Sequence, residues 1–204
     1  MRGIIFAPNH NSAGRHDASG AFVPGAQAFA ALHGIRNIVW LSEADNASLI
    51  LNSLRAHSGL AVVAYFGHGL QSGLPSANLW WKDIPALARA IRSACAPKAQ
   101  VVLYACTAGK PGCFAERLAA TVGGGIKVWG HTCAGHSFTN PYVTRYPYDF
   151  LDDTPYLVEP TSGRWRAWHH LIKGRSNIWA RFPFMSQATV EREIDTGKAQ
   201  WIDI

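Results

Sequence analysis

The sequence predicts an α/β protein, a three-layer αβα sandwich built on a mostly parallel sheet. Three observations lead there. Short, almost unbroken apolar runs recur through the first 130 residues, the pattern of strands covered on both faces. Between them, apolar residues fall at i, i+3, i+4 and i+7, the period of a helix with one buried side. No self-similar period runs through the chain, which argues against a repeat array.

The elements follow in order. Gly3–Ala7 (GIIFA) is a short apolar run stopped by Pro8-Asn9 and reads as a buried strand. Phe22–His33 carries Phe22, Ala26, Phe29, Ala30 and Leu32 at helical spacing, with Gly34 as its stop. Ile35–Leu41 (IRNIVWL) is the second strand. Ser42 is the candidate N-cap of a helix bearing Ala47, Ile50, Leu51 and Leu54. Leu60–Phe66 (LAVVAYF) is a strand apolar on both faces, followed by Gly67-His68-Gly69. Ile84–Cys95 reads as a helix with Leu87, Ile91 and Ala94 on one side, and Gln100–Ala105 (QVVLYA) as the fourth strand. A helix over Cys113–Val122 and a fifth strand over Ile126–Gly130 complete the pattern.

Composition narrows the class. The chain has 204 residues, 48% hydrophobic and 16% charged. Soluble chains average about 25% charged, so this one predicts a well-buried core and not disorder. No apolar run approaches the roughly 18 residues of a membrane span. The start, MRGIIFAPNH, has too short an apolar stretch for a secretory signal. Four cysteines in this length make no disulfide framework. The expectation is a soluble protein of the cytoplasm.

Two regions follow from the patterning. Residues 1–140 form a core with 11 basic and five acidic residues, so the whole net charge of +6 lies there. Residues 141–204 carry eight of each sign, are rich in Pro, Tyr and Trp, and read as an extension wrapped on that core. Within it, Arg164–Arg181 holds five basic residues and three Trp. That mixture can bind nucleic acid through phosphate contacts and stacking. Trp anchors overlaid by Arg stems explain it better, so no nucleic-acid partner is expected.

In an open parallel sheet, ligands collect beyond the carboxyl ends of the strands. Two such ends carry reactive side chains. The third strand ends in Tyr65-Phe66-Gly67-His68-Gly69, and the fourth in Tyr104-Ala105-Cys106-Thr107-Ala108-Gly109. A thiolate can attack a carbonyl, an imidazole can move the proton, and backbone N–H groups can hold the oxyanion. Neighbouring strands lie about 5 Å apart, close enough for His68 and Cys106 to share a crevice.

A buried strand followed by His-Gly, then another followed by Ala-Cys, resembles the caspase-like (clan CD) cysteine peptidases. That clan includes caspases, legumains and the CHAT-type proteases. The resemblance covers roughly residues 2–136 and implies a caspase-like fold and cysteine endopeptidase activity on a peptide or protein substrate. Residue by residue it implies His68 as general acid/base, Cys106 as nucleophile, and the Gly69 and Cys106 N–H groups as oxyanion donors. The loop Asn9-His10-Asn11-Ser12-Ala13-Gly14-Arg15 is similar to the legumain loop that orders the catalytic His and lines the primary pocket. It makes Arg15 and Asn9 or Asn11 candidate substrate-binding residues. By the same resemblance, the segment after the fifth strand, with His131, Cys133 and His136, forms a wall of the cleft.

Other readings stand beside these. The spacing of His131, Cys133 and His136 could suit zinc, yet no second ligand cluster accompanies it, so no metal is expected. With only five carboxylate residues before Pro141, acidic calcium loops are missing, and no cofactor is expected. Gly123-Gly124-Gly125 precedes a strand, where a phosphate loop would follow one. Cys95 and Cys113, inside helical patterns, read as core residues. The alternative to an enzyme is a catalytically inactive caspase-like scaffold that binds a partner.

Overall fold

The computed structural model describes residues 1–9, 22–42 and 45–131, together with two strands at 143–146 and 156–158. Nine strands and four α-helices are found among these residues: β1 Gly3–Pro8, α1 Val23–His33, β2 Asn37–Leu41, α2 Asn46–Arg55, β3 Leu60–Phe66, β4 Gly73–Leu74, β5 Leu79–Trp80, α3 Ile84–Ala94, β6 Cys95–Tyr104, α4 Phe114–Val122, β7 Lys127–His131, β8 Val143–Tyr146 and β9 Tyr156–Val158. Seven strands form one sheet in the order β2-β1-β3-β6-β7-β8-β9, and β4 and β5 make a small hairpin of their own. From β2 to β7 every pairing is parallel. The α/β class with a mostly parallel sheet is therefore as the sequence predicts.

Alternation along the strands explains the layers. Ile4, Phe6, Val63, Tyr65, Val101, Leu103 and Val128 join one apolar cluster with α2, α3 and α4. The intervening residues Phe66 and Tyr104 meet α1, through Phe29, on the opposite side. β3 and β6 thus feed two cores, which requires apolar side chains at consecutive positions. Phe29 is wholly buried, and removing such a side chain from water contributes roughly 1.5–3 kcal/mol.

Helix ends follow their sequence signals, with one correction. Gly34 takes a left-handed conformation (φ 62°), and α1 closes with Gly34 N–H on the Ala31 carbonyl and Ile35 N–H on that of Ala30, a Schellman ending. Ser42 does not cap α2. Asp45 does, its carboxylate accepting from the Ser48 N–H at 3.2 Å. Ser42 is instead held through its backbone by Asn46, whose Oδ1 accepts its N–H at 2.9 Å.

β6 starts five residues earlier than the run Gln100–Ala105 suggests. Cys95 already pairs with Leu60, but the regular ladder begins only at Val62 opposite Gln100. The intervening chain bulges, with Lys98 in a left-handed conformation (φ 63°). The sequence reading also missed β8 and β9. Both are antiparallel, β8 on β7 and β9 on β8, so residues 143–146 and 156–158 widen the core sheet. No other part of residues 141–204 is among those described.

Candidate active site

The sheet order places a switch between β1 and β3. The chain moves outward through β2 on one side and through β6 and β7 on the other, and crevices form at the carboxyl ends beside such a switch. His68 leaves β3 at that edge and Cys106 leaves the adjacent β6.

The register carries them to equivalent heights. Phe66 is paired with Tyr104, and their rings stack at 4.3 Å with 13° between planes. His68 and Cys106 each lie two residues further on. Beyond the ladder the two chains stay in contact: Gly67 N–H donates to the Tyr104 carbonyl at 3.2 Å. A Cβ on Gly69 would stand 2.5 Å from the Cys106 carbonyl oxygen and 2.6 Å from the Ala105 Cβ. Only glycine permits this approach. His68 and Cys106 are both half-buried, and the Phe22 ring meets the His68 ring edge-on at 5.2 Å.

His68 is held at its main chain. Its N–H donates to Ser76 Oγ at 3.1 Å, and its carbonyl accepts from the Tyr65 hydroxyl at 3.0 Å. Burial pushes the Tyr65 hydroxyl well above its usual range, against the opposing effect of hydrogen bonds from Ser76 and Ala77, so it stays protonated and donating. Sequence reasoning passed over Tyr65 and Ser76. Tyr65 reads as one more apolar strand residue, and Ser76 as a loop serine.

After Cys106 the chain turns sharply. Thr107 adopts a left-handed conformation (φ 56°), an outlier for a β-branched residue. The turn and the start of α4 that follows it are tied by three backbone hydrogen bonds. Gly109 N–H donates to the His131 carbonyl at 2.8 Å, Ala115 N–H to that of Ala108 at 2.9 Å, and Phe114 N–H to that of Gln71 at 2.9 Å. Strained residues persist where their surroundings over-determine them, commonly at functional sites.

Among the substrate-binding candidates, Asn9 is exposed just beyond β1. His131 ends β7 with 1% exposure, its ring 5.7 Å from that of Tyr104. Asn11, Arg15, Cys133 and His136 lie outside the described residues. Among the described residues, no three of His, Cys, Asp and Glu group as a metal site, and no helix is long and apolar enough to cross a membrane.

Two further cysteines, Cys95 and Cys113, are described. Burial pushes the Cys95 thiol up to about 12. It also raises Cys113, against the opposing charges of Lys110 and Arg117.

No protein-family model matches the chain, and no curated protein does. Solved structures match in part. The crystal structure of the Arg-specific cysteine proteinase gingipain R (RgpB) is 14% identical, over 64% of this chain and 32% of that one, with a TM-score of 0.45. The complex of Porphyromonas gingivalis RgpB pro- and mature domains is also 14% identical, over 65% of this chain and 32% of that one, with a TM-score of 0.38. The chain therefore spans about a third of the length of the chains it resembles.

Proposed function

We propose that this chain is a caspase-like cysteine endopeptidase with Cys106 as nucleophile and His68 as general acid/base. One observation carries the reading: the Gly69 backbone lies against Ala105-Cys106, so the segments bearing His68 and Cys106 meet at one sheet edge. The left-handed turn at Thr107 supports it.

The chemistry balances without a cofactor. The Cys106 thiolate attacks the scissile carbonyl and a C–S bond forms, the oxyanion being held by the Gly69 and Cys106 N–H groups. Imidazolium His68 protonates the leaving amine as the C–N bond breaks, leaving a thioester. Water then attacks the thioester, His68 takes its proton, and the C–S bond breaks to release the acid and restore Cys106. Arg15, with Asn9 or Asn11, would favour an acidic P1 side chain. A pocket dominated by residues 131–136 would favour a small or neutral one.

The test is covalent labelling by a peptidyl acyloxymethyl ketone. Cys106→Ala and His68→Ala are expected to abolish it. Unchanged labelling of Cys106→Ala overturns the assignment, and an unlabelled parent protein with an unreactive Cys106 supports the scaffold alternative.

A further inference from the structure

A general acid/base must be placed within a few tenths of an ångström to be effective, yet His68 lies beyond the ladder that would fix its backbone. The backbone N–H and C=O of a half-buried residue need partners, and His68 finds both in side chains. Ser76 Oγ accepts its N–H at 3.1 Å, and the Tyr65 hydroxyl donates to its carbonyl at 3.0 Å.

Each partner is itself held. Tyr65 is 4% exposed, and its phenol reaches back beneath the chain because residue 67 is glycine. A Cβ there would stand 2.4 Å from the phenolic oxygen. Ser76 occupies the 3-10 turn Pro75–Ala77, and its hydroxyl is also a partner of the Tyr65 oxygen. Those contacts close a ring through Ser76, His68 and Tyr65. The turn is fixed from below by Asn46, a polar residue only 5% exposed. Its Nδ2 donates to the Ser76 carbonyl at 2.8 Å and to that of Ser42, while its Oδ1 accepts the Ser42 N–H. A buried amide with its donors and acceptor satisfied is a rigid support.

We propose that Ser76 is a positioning residue for His68, acting with Tyr65 through the His68 main chain and supported by Asn46. The inference rests on His68 being the general acid/base. It assigns catalytic consequence to a 3-10 turn that contributes no reacting group.

The experiment compares Ser76→Ala, Ser76→Thr and Tyr65→Phe with the parent protein by acyloxymethyl ketone labelling and by steady-state hydrolysis of a labelled peptide. Ser76→Ala is expected to lower kcat roughly 10- to 100-fold with KM unchanged. Ser76→Thr, which keeps the hydroxyl, should recover most of that loss. Tyr65→Phe, which removes one oxygen from the other arm, should lower kcat in the same sense and serves if Ser76→Ala fails to fold. Folding of every variant is checked by its melting temperature. Parent-like kcat in folded Ser76→Ala and Tyr65→Phe overturns the positioning role, as does equal loss in Ser76→Thr. A parent protein whose labelling is insensitive to Cys106→Ala overturns the dyad instead, and the positioning role falls with it.

Discussion

The two ends of β6 make an instructive pair. Each carries a half-buried cysteine and a non-glycine residue in left-handed conformation, Cys95 with Lys98 and Cys106 with Thr107. At the amino end the chain bulges away from β3, and Cys95 packs against the apolar cluster, with its thiol pushed up to about 12. At the carboxyl end β3 and β6 remain in contact past the last ladder pair, and a histidine stands on the neighbouring chain. What distinguishes Cys106 is the second chain that accompanies it out of the sheet, and the glycine that lets that chain approach.

Glycine substitutions beside the two ends of β3 are expected to differ most in their effects. Gly69→Ala sets a methyl against the Cys106 carbonyl and should slow labelling by roughly 100-fold. Gly59→Ala, at φ +65° beside the other end, should cost roughly 1 kcal/mol of stability and leave the labelling rate alone. Equal labelling rates in the two variants would remove the distinction between the ends.

Thiol reactivity should differ between the two ends as well. A raised thiol pKa keeps the sulfur protonated, so at neutral pH Cys95 and Cys113 are expected to resist iodoacetamide, and only the thiolate reacts. The fast phase of alkylation should vanish in Cys106→Ala and persist in Cys95→Ala, with Cys95 modified only as pH climbs toward about 12. Mass spectrometry of the alkylated peptides reads this directly. A fast phase that survives Cys106→Ala would point to a different reactive thiol.

The smallest expected effect concerns the two left-handed residues. Lys98→Gly and Thr107→Gly each relieve a strained backbone, offset by the extra chain entropy of glycine, for net gains of up to about 1 kcal/mol. Only Thr107→Gly should also slow labelling, because the strained turn directly follows Cys106, the proposed nucleophile. Denaturant melts and labelling rates measured on the same samples separate the two effects.

Much of the architecture was legible in advance. The apolar runs at Leu60–Phe66 and Gln100–Ala105 could be little other than strands buried on both faces, and Gly34 marked a helix end that only a left-handed residue closes easily. His68 and Cys106 stand out because each closely follows an apolar strand, the two strands are successive, and histidine and cysteine together carry acyl-transfer chemistry. The cap of α2 was misplaced because Ser42 and Asp45 are both good capping residues, and only the path of the chain selects Asp45. β8 was missed because its four residues, VTRY, alternate too briefly to signal a strand. They gain that form by pairing with the open edge of β7.

The periodicities and the strand-ending motifs are legible in the residues alone, since these depend on neighbours a few positions apart. Tertiary structure alone decided the strand order, the meeting of Gly69 with Cys106, and the hold of Ser76 and Tyr65 on His68. Gly67-His68-Gly69 shows the division plainly. Its glycines look alike as sequence, yet one makes room for the Tyr65 phenol and the other for the Cys106 carbonyl. Such close contacts join groups that local preferences never bring together; packing of the whole sheet does.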